Sequence, residues 1–269
     1  MRPLRERPAR RRLVGVASLW VIMALTASCS ATPPATGPPP PSAVARSPSP
    51  SPSHTAHPAD VFTVTGNNQV QVNGSQDTNA ATPNATCDSS RLESDKALGN
   101  EIADGFILEN FPTAANLLTH FLKGTGAEVN FGIGSVISDK AAASSEFQAV
   151  NTEVRSEIVL QLKHGITRVR LSAAQLPTVD FGSTSSDLYW AFRGTQGLTV
   201  TGSGTRKKGK YTGTLRYVIR DSYGFPVNDT LGGFGPPMRY LQTVCGAPQH
   251  QGGAHWFPDT ITVRMPFSA

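Results

Sequence analysis

The sequence lacks the short patterns that announce the commonest hydrolytic chemistries. It has no HExxH pair, no GxSxG elbow and no phosphate-cradling glycine loop. Metalloprotease, α/β-hydrolase and P-loop readings therefore have no motif to stand on. A long apolar run is missing too. The longest, Leu13–Leu25, has 13 residues, short of the roughly 20 that a membrane-spanning helix needs. Cysteine is scarce, with three in the chain. A charge surplus is missing from the body of the chain. Of 24 basic and 19 acidic residues, six arginines and one glutamate lie in residues 1–28, which leaves 18 of each sign beyond them. A nucleic-acid binder needs a basic surface to neutralise phosphates, so nucleic acid is not an expected partner. The one basic cluster left, Arg206-Lys207-Lys208-Gly209-Lys210, lies between two strand-like runs and reads as a solvated hairpin turn.

What is present begins with an address. Arg2, Arg5, Arg7, Arg10, Arg11 and Arg12 precede the apolar run, and Leu25-Thr26-Ala27-Ser28-Cys29 follows it. A basic stretch, an apolar stretch and small residues at a cleavage point are the three parts of a secretory signal. The final five residues resemble a bacterial lipobox, with Leu25 one step further from the cysteine than is commonest. The resemblance implies that residues 1–28 are a signal peptide and that Cys29 carries an acyl chain such as palmitate. It also implies a protein held on the outer face of the cell membrane. The alternative is a cut near Ala31 that releases a secreted protein.

Residues 29–59 read as a tether. Ten of the 21 prolines lie in it, with Ser-Pro repeats at 47–52, and no apolar periodicity is present to build a core. Extended proline-rich chain at about 3.1 Å per residue would reach on the order of 90 Å. Residues 60–86 are expected to be a small hairpin, Val61–Thr65 against Gln69–Val72, or a flexible appendage. Residues 87–269 are expected to form a single domain, long enough for one core.

That domain reads as α+β, with N-terminal helices on a C-terminal antiparallel sheet or partial β-barrel. Leu98, Ile102 and Phe106 fall at helical spacing. So do Ala114, Leu117, Leu118 and Phe121, after Pro112, and Phe147, Val150, Val154 and Ile158. From Ile166 onwards the pattern alternates. Leu188–Phe192 is an aromatic, strand-like run. Tyr211, Leu215, Tyr217 and Ile219 are predicted to face one way, and Thr212, Thr214, Arg216 and Arg220 the other. Thr260–Met265 alternates again. Helices first and strands after place the chain in the α+β class. With Cys29 acylated, Cys87 and Cys245 admit one disulfide in an oxidising compartment.

The candidate site residues are few. His250 and His255, five apart on a glycine-rich loop, have no evident third ligand. Asp221 stands where a strand ends among aromatics, a reasonable place for a working carboxylate. In the bland reading it caps a turn, while Tyr223 and Phe225 close the core.

Several short stretches resemble the activity domain of colicin M-type bacteriocins. They are His120–Gly126, Phe192-Arg193-Gly194, Leu198–Gly202, Tyr211–Leu215 and Asp221-Ser222-Tyr223-Gly224-Phe225. The resemblance implies metal-dependent cleavage of the pyrophosphate link in a lipid-bound cell-wall precursor. Asp221 and Tyr223 would serve at the site, and Mg²⁺ is needed if that activity holds. The family's second acid is Gly224 here, and its His-Arg pair is absent; Asp229 and Arg239 are the nearest substitutes. A lone carboxylate cannot hold a metal and neutralise phosphoryl charge. The expectation is therefore a lipid-anchored binding or structural module of the cell envelope, needing no cofactor. Its partners would be the membrane, through Cys29, and an envelope component or protein. The alternative is a colicin M-like hydrolase, in degenerate form.

Overall fold

A computed structural model describes residues 60–68, 85–182, 186–225 and 232–269. Among the described residues six α-helices form, the first four in the first half: α1 (Ser89–Leu108), α2 (Pro112–Leu122), α3 (Val136–Ala143), α4 (Ser145–Lys163), α5 (Asp187–Phe192) and α6 (Gly235–Thr243). Six strands complete it: β1 (Val61–Asn67), β2 (Val129–Phe131), β3 (Arg168–Leu171), β4 (Gly197–Lys207), β5 (Lys210–Tyr223) and β6 (Phe257–Ser268). The fold is α+β.

Local chemistry sets the helix boundaries. The Asp88 carboxylate accepts from the Arg91 amide at 2.7 Å and caps α1. Ser144 ends α3, and its hydroxyl caps α4 by accepting from the Phe147 amide. Along α4, Phe147, Val150, Val154, Ile158 and Leu162 are buried on one stripe. On α2 the buried stripe includes Ala114, Leu117, Leu118 and Phe121. The α1 stripe is weaker than its spacing promises. Gly99 and Ala103 are buried, while Leu98, Ile102 and Phe106 stay half-exposed at the margin of the core.

The strands form one sheet in the order β2-β6-β5-β4-β1-β3. The β4–β5 and β5–β6 pairs are long and antiparallel, and β1 runs antiparallel to β4. Both edge strands pair in parallel, β3 with β1 and β2 with β6. The β4–β5 turn has Lys208 at φ 49° and Gly209 at φ 80°. Two left-handed residues in a two-residue loop make the turn whose twist matches the flanking strands. The basic cluster is thus a hairpin tip. At Gly204 a Cβ would lie 2.4 Å from the Phe62 ring, so the bare backbone there leaves room for that ring.

Residues 60–68 belong to this sheet and are not an appendage. Phe62 and Val64 are buried to 1% exposure, and β1 bonds to strands on both sides. Asn68 completes the junction. Its side-chain oxygen accepts from the Leu198 amide at 2.6 Å, and its amide donates to the Leu176 carbonyl. The expected partner run, Gln69–Val72, lies outside the described residues, as do Cys29 and the tether. Leu188–Phe192 is also not a strand but the body of α5. The Ser186 hydroxyl caps it through the Tyr189 amide.

Helices cover one face of the sheet. Tyr217 on β5 meets Phe147 edge-on at 5.1 Å and donates its hydroxyl to Asn151 of α4 at 2.8 Å. Burial raises the Tyr217 hydroxyl well above its ordinary pKa. Phe121 of α2 packs on Tyr223 and Phe225, and Phe192 of α5 on Phe131. Two ties hold the helical layer together. Buried Asp187 accepts from the Thr113 and Ala114 amides at 3.0 and 2.9 Å, capping α2 from another element, and also from Lys140 of α3 at 2.9 Å. Cys87 and Cys245 form a disulfide across 158 residues that joins the start of α1 to the end of α6. Beside it the Arg91 guanidinium lies 3.7 Å from the Tyr240 ring centroid.

Candidate functional site

Asp221 lies in β5 on the helix-covered face, with Ile219 and Tyr223 on either side of it on that face. The β5–β6 register puts Asp259 directly opposite. Opposed residues of an antiparallel pair share a face, with Cβ atoms on the order of 5 Å apart. Two carboxyl groups therefore meet in the core. Asp221 is 6% exposed and Asp259 0%. The next row on one side is Tyr223 and Phe257, stacked at 5.4 Å. On the other side it is Ile219 and Ile261. His120 closes over Phe257, edge-on at 4.5 Å, and its Nε2 lies 2.8 Å from the Ala127 carbonyl oxygen.

The electrostatics follow from this enclosure. Neither oxygen of Asp259 has a hydrogen-bond partner among the described residues. Its pKa is held well above the ordinary aspartate value, first by burial and then by the neighbouring Asp221 charge. Like charges so close in a weakly screening interior do not both ionise, so Asp259 keeps its proton where a surface aspartate would lose it.

The structure brings together only part of the expected set. Asp221 and Tyr223 share a face of β5, with Phe225 just beyond its end. Tyr223 and Phe225 are buried against Phe121 and close the core, as in the bland reading. Arg239 is half-buried on α6. One turn along α6, the Gln242 side chain accepts from the Phe225 amide at 3.0 Å, which sets this helix beside the end of β5. Asp229 lies outside the described residues. The second carboxyl at Asp221 is Asp259, which no local pattern marks because it stands at an ordinary alternating strand.

The described histidines have separate surroundings. His250 bonds to the Ala85 carbonyl at 3.1 Å, His164 caps the C-terminal end of α4, and His255 is exposed. Among the described residues no group of three His, Cys, Asp or Glu side chains could hold a metal ion. None of their helices is long and apolar enough to cross a membrane.

The other face of the sheet is open over β1, β4 and much of β5, while Thr260 and Thr262 on the same side of β6 are buried. Thr63, Thr65, Thr201, Ser203, Thr214 and Arg216, on three of its four inner strands, are exposed. It is a polar surface built by alternation along β1, β4 and β5, the outward hydroxyls and guanidinium being flanked by inward core residues or glycines. The chain matches no protein-family model, and no curated protein or solved structure shows significant similarity to it.

Proposed function

We propose that the chain is a lipid-anchored binding module of the cell envelope, presenting the open face of its sheet at the end of a proline-rich tether. The observation that carries this reading is the two-sided sheet. One face is sealed by helices, and the other is laid out in exposed threonine, serine and arginine. The basic leader, the Leu25–Cys29 sequence and the Cys87–Cys245 bridge support an exported, anchored setting. The polar pair at Asp221 supports a structural part in this reading, since the two carboxyls are walled in by Tyr223, Phe257, Ile219 and Ile261.

Two measurements test it. The full chain, expressed with its own leader in a bacterium that processes lipoproteins, takes up labelled palmitate and sediments with membranes. Cys29→Ala abolishes both. A wild-type chain that is exported without label is a secreted protein and not an anchored one. The same membrane-derived protein is then given the lipid-bound cell-wall precursor with and without Mg²⁺. The binding reading expects the substrate to survive. Cleavage that needs both Mg²⁺ and Asp221, lost in Asp221→Asn, would make the chain a hydrolase of that lipid instead.

A further inference from the structure

Zero net charge beyond residue 28 conceals a separation of charge between the two layers. Four acids lie on α1 and three on α4, against two basic residues on each. The outward positions of β1, β3, β4, β5 and β6, fixed by register, include no Asp or Glu. They do include Arg168, Arg170, Lys207, Lys210, Arg216 and Arg264, all exposed. One cross-strand row reads Arg170, Thr65, Thr201, Arg216, Arg264. At about 4.8 Å between strands it spans roughly 19 Å.

Arg216 and Arg264 stand directly opposite each other. Like charges so placed repel. The ion pairs among the described residues, Arg91–Asp95 and Lys140–Asp187, engage neither. An anion seated between the two guanidinium forks removes that repulsion, and the forks match phosphate oxygens in pairs. Between them and Arg170 the row offers hydroxyls. No outward position of these strands holds Phe, Tyr or Trp. Single-stranded nucleic acid is held by stacking its bases on such rings, so the face lacks what bases need while keeping what phosphates and hydroxyls need.

We infer that this row binds a linear polyol-phosphate polymer, a phosphodiester chain without bases, laid across the strands from Arg170 to Arg264. The inference rests on the anchored-module reading and names the partner of the same face. Arginines bind the phosphates, and Thr65 and Thr201 bond to the polyol hydroxyls. With the row's three arginines engaged, counterion release weakens binding roughly twenty- to fortyfold between about 50 and 200 mM salt.

The test uses the full chain, solubilised from membranes in detergent, and synthetic poly(glycerol phosphate) as the probe. Single-stranded DNA and phosphatidylglycerol vesicles run beside it. Wild type binds the polymer more tightly than either comparison. Arg216→Glu/Arg264→Glu weakens binding at least tenfold, whereas Lys163→Glu on α4, an equal change per site, weakens it no more than about twofold. Should the double variant fail to fold, Arg170→Glu on the exposed edge strand carries the test, with at least a threefold loss. The inference is overturned if wild type does not bind at about 50 mM salt. It is also overturned if the helix-side change weakens binding as much as the sheet-side change, or if DNA or vesicles bind more tightly. A chain that is not acylated removes the anchor while leaving this binding measurable. An acylated chain that ignores the polymer removes only the partner.

Discussion

Replacing Asp259 with asparagine should make the protein more stable at neutral pH. The wild-type side chain is fully buried, its neighbour across the strand is a second carboxyl, and burial with the Asp221 charge raises its pKa well above the ordinary value of 3.8. The folded chain therefore holds a proton that the unfolded chain releases above about pH 4. Stability from this group is fully present below that pH and is lost as pH rises towards the raised folded value. Inside the window each pH unit costs about 1.4 kcal/mol. For a domain of this size that is roughly 3–5 °C of melting temperature per unit. Asparagine keeps the shape and is neutral at every pH. Melting both proteins by calorimetry from pH 4 to 8 should therefore show wild type falling away from Asp259→Asn as pH rises. Other titrating groups act on both proteins and cancel in the difference. Asp221→Asn removes only the second cause, so it should shorten the window without closing it. A difference between wild type and Asp259→Asn that stays constant over the range would refute the buried-proton argument.

Removing the disulfide with Cys87→Ser/Cys245→Ser frees a loop of 158 residues. Chain entropy alone puts the loss at about 5 kcal/mol, readable as a lower urea midpoint. Asp187→Ala takes away the α2 cap and the partner of Lys140 together. It should cost about 2–4 kcal/mol, with Asp187→Asn restoring part of the cap but not the ion pair. Arg264→Thr relieves the repulsion with Arg216 and should raise stability by about 0.2–1 kcal/mol at low salt. That gain should fade as salt is added.

The parts of the fold legible in the sequence are those whose signal is local. The α2 and α4 stripes repeat every three or four residues, β5 alternates over its whole length, and Lys208-Gly209 gives the β4–β5 turn its geometry. With Cys29 set aside, two cysteines have one way to pair. What was hidden depends on distant chain. β1 reads as half of a small hairpin because its true partners, in β3 and β4, lie more than 100 residues away. Leu188–Phe192 has strand-like residues, but the Ser186 cap fixes it as helix. The three-residue β2 offers too short a pattern to read, and the eight-residue α3 has too short a buried stripe to stand out. Of the site, Asp221 was visible as an acid at a strand end. Asp259 was not, since only the β5–β6 register makes the two neighbours. The open face was hidden by arithmetic, because a net charge sums over both layers and cannot show that cations collect on one.

The place of β1 in the sheet determines how the domain takes a load. Chain N-terminal to Val61 enters through this strand, which pairs over seven residues with β4 and over four with β3. A pull transmitted along that chain acts parallel to the strand. It must shear both ladders at once, where an edge hairpin would peel open one bond at a time. Phe62 and Val64, keyed into the core beneath, would have to move with it. Under the proposed N-terminal anchoring the attachment point would be woven into the sheet, and a load on the domain would be resisted by many hydrogen bonds together.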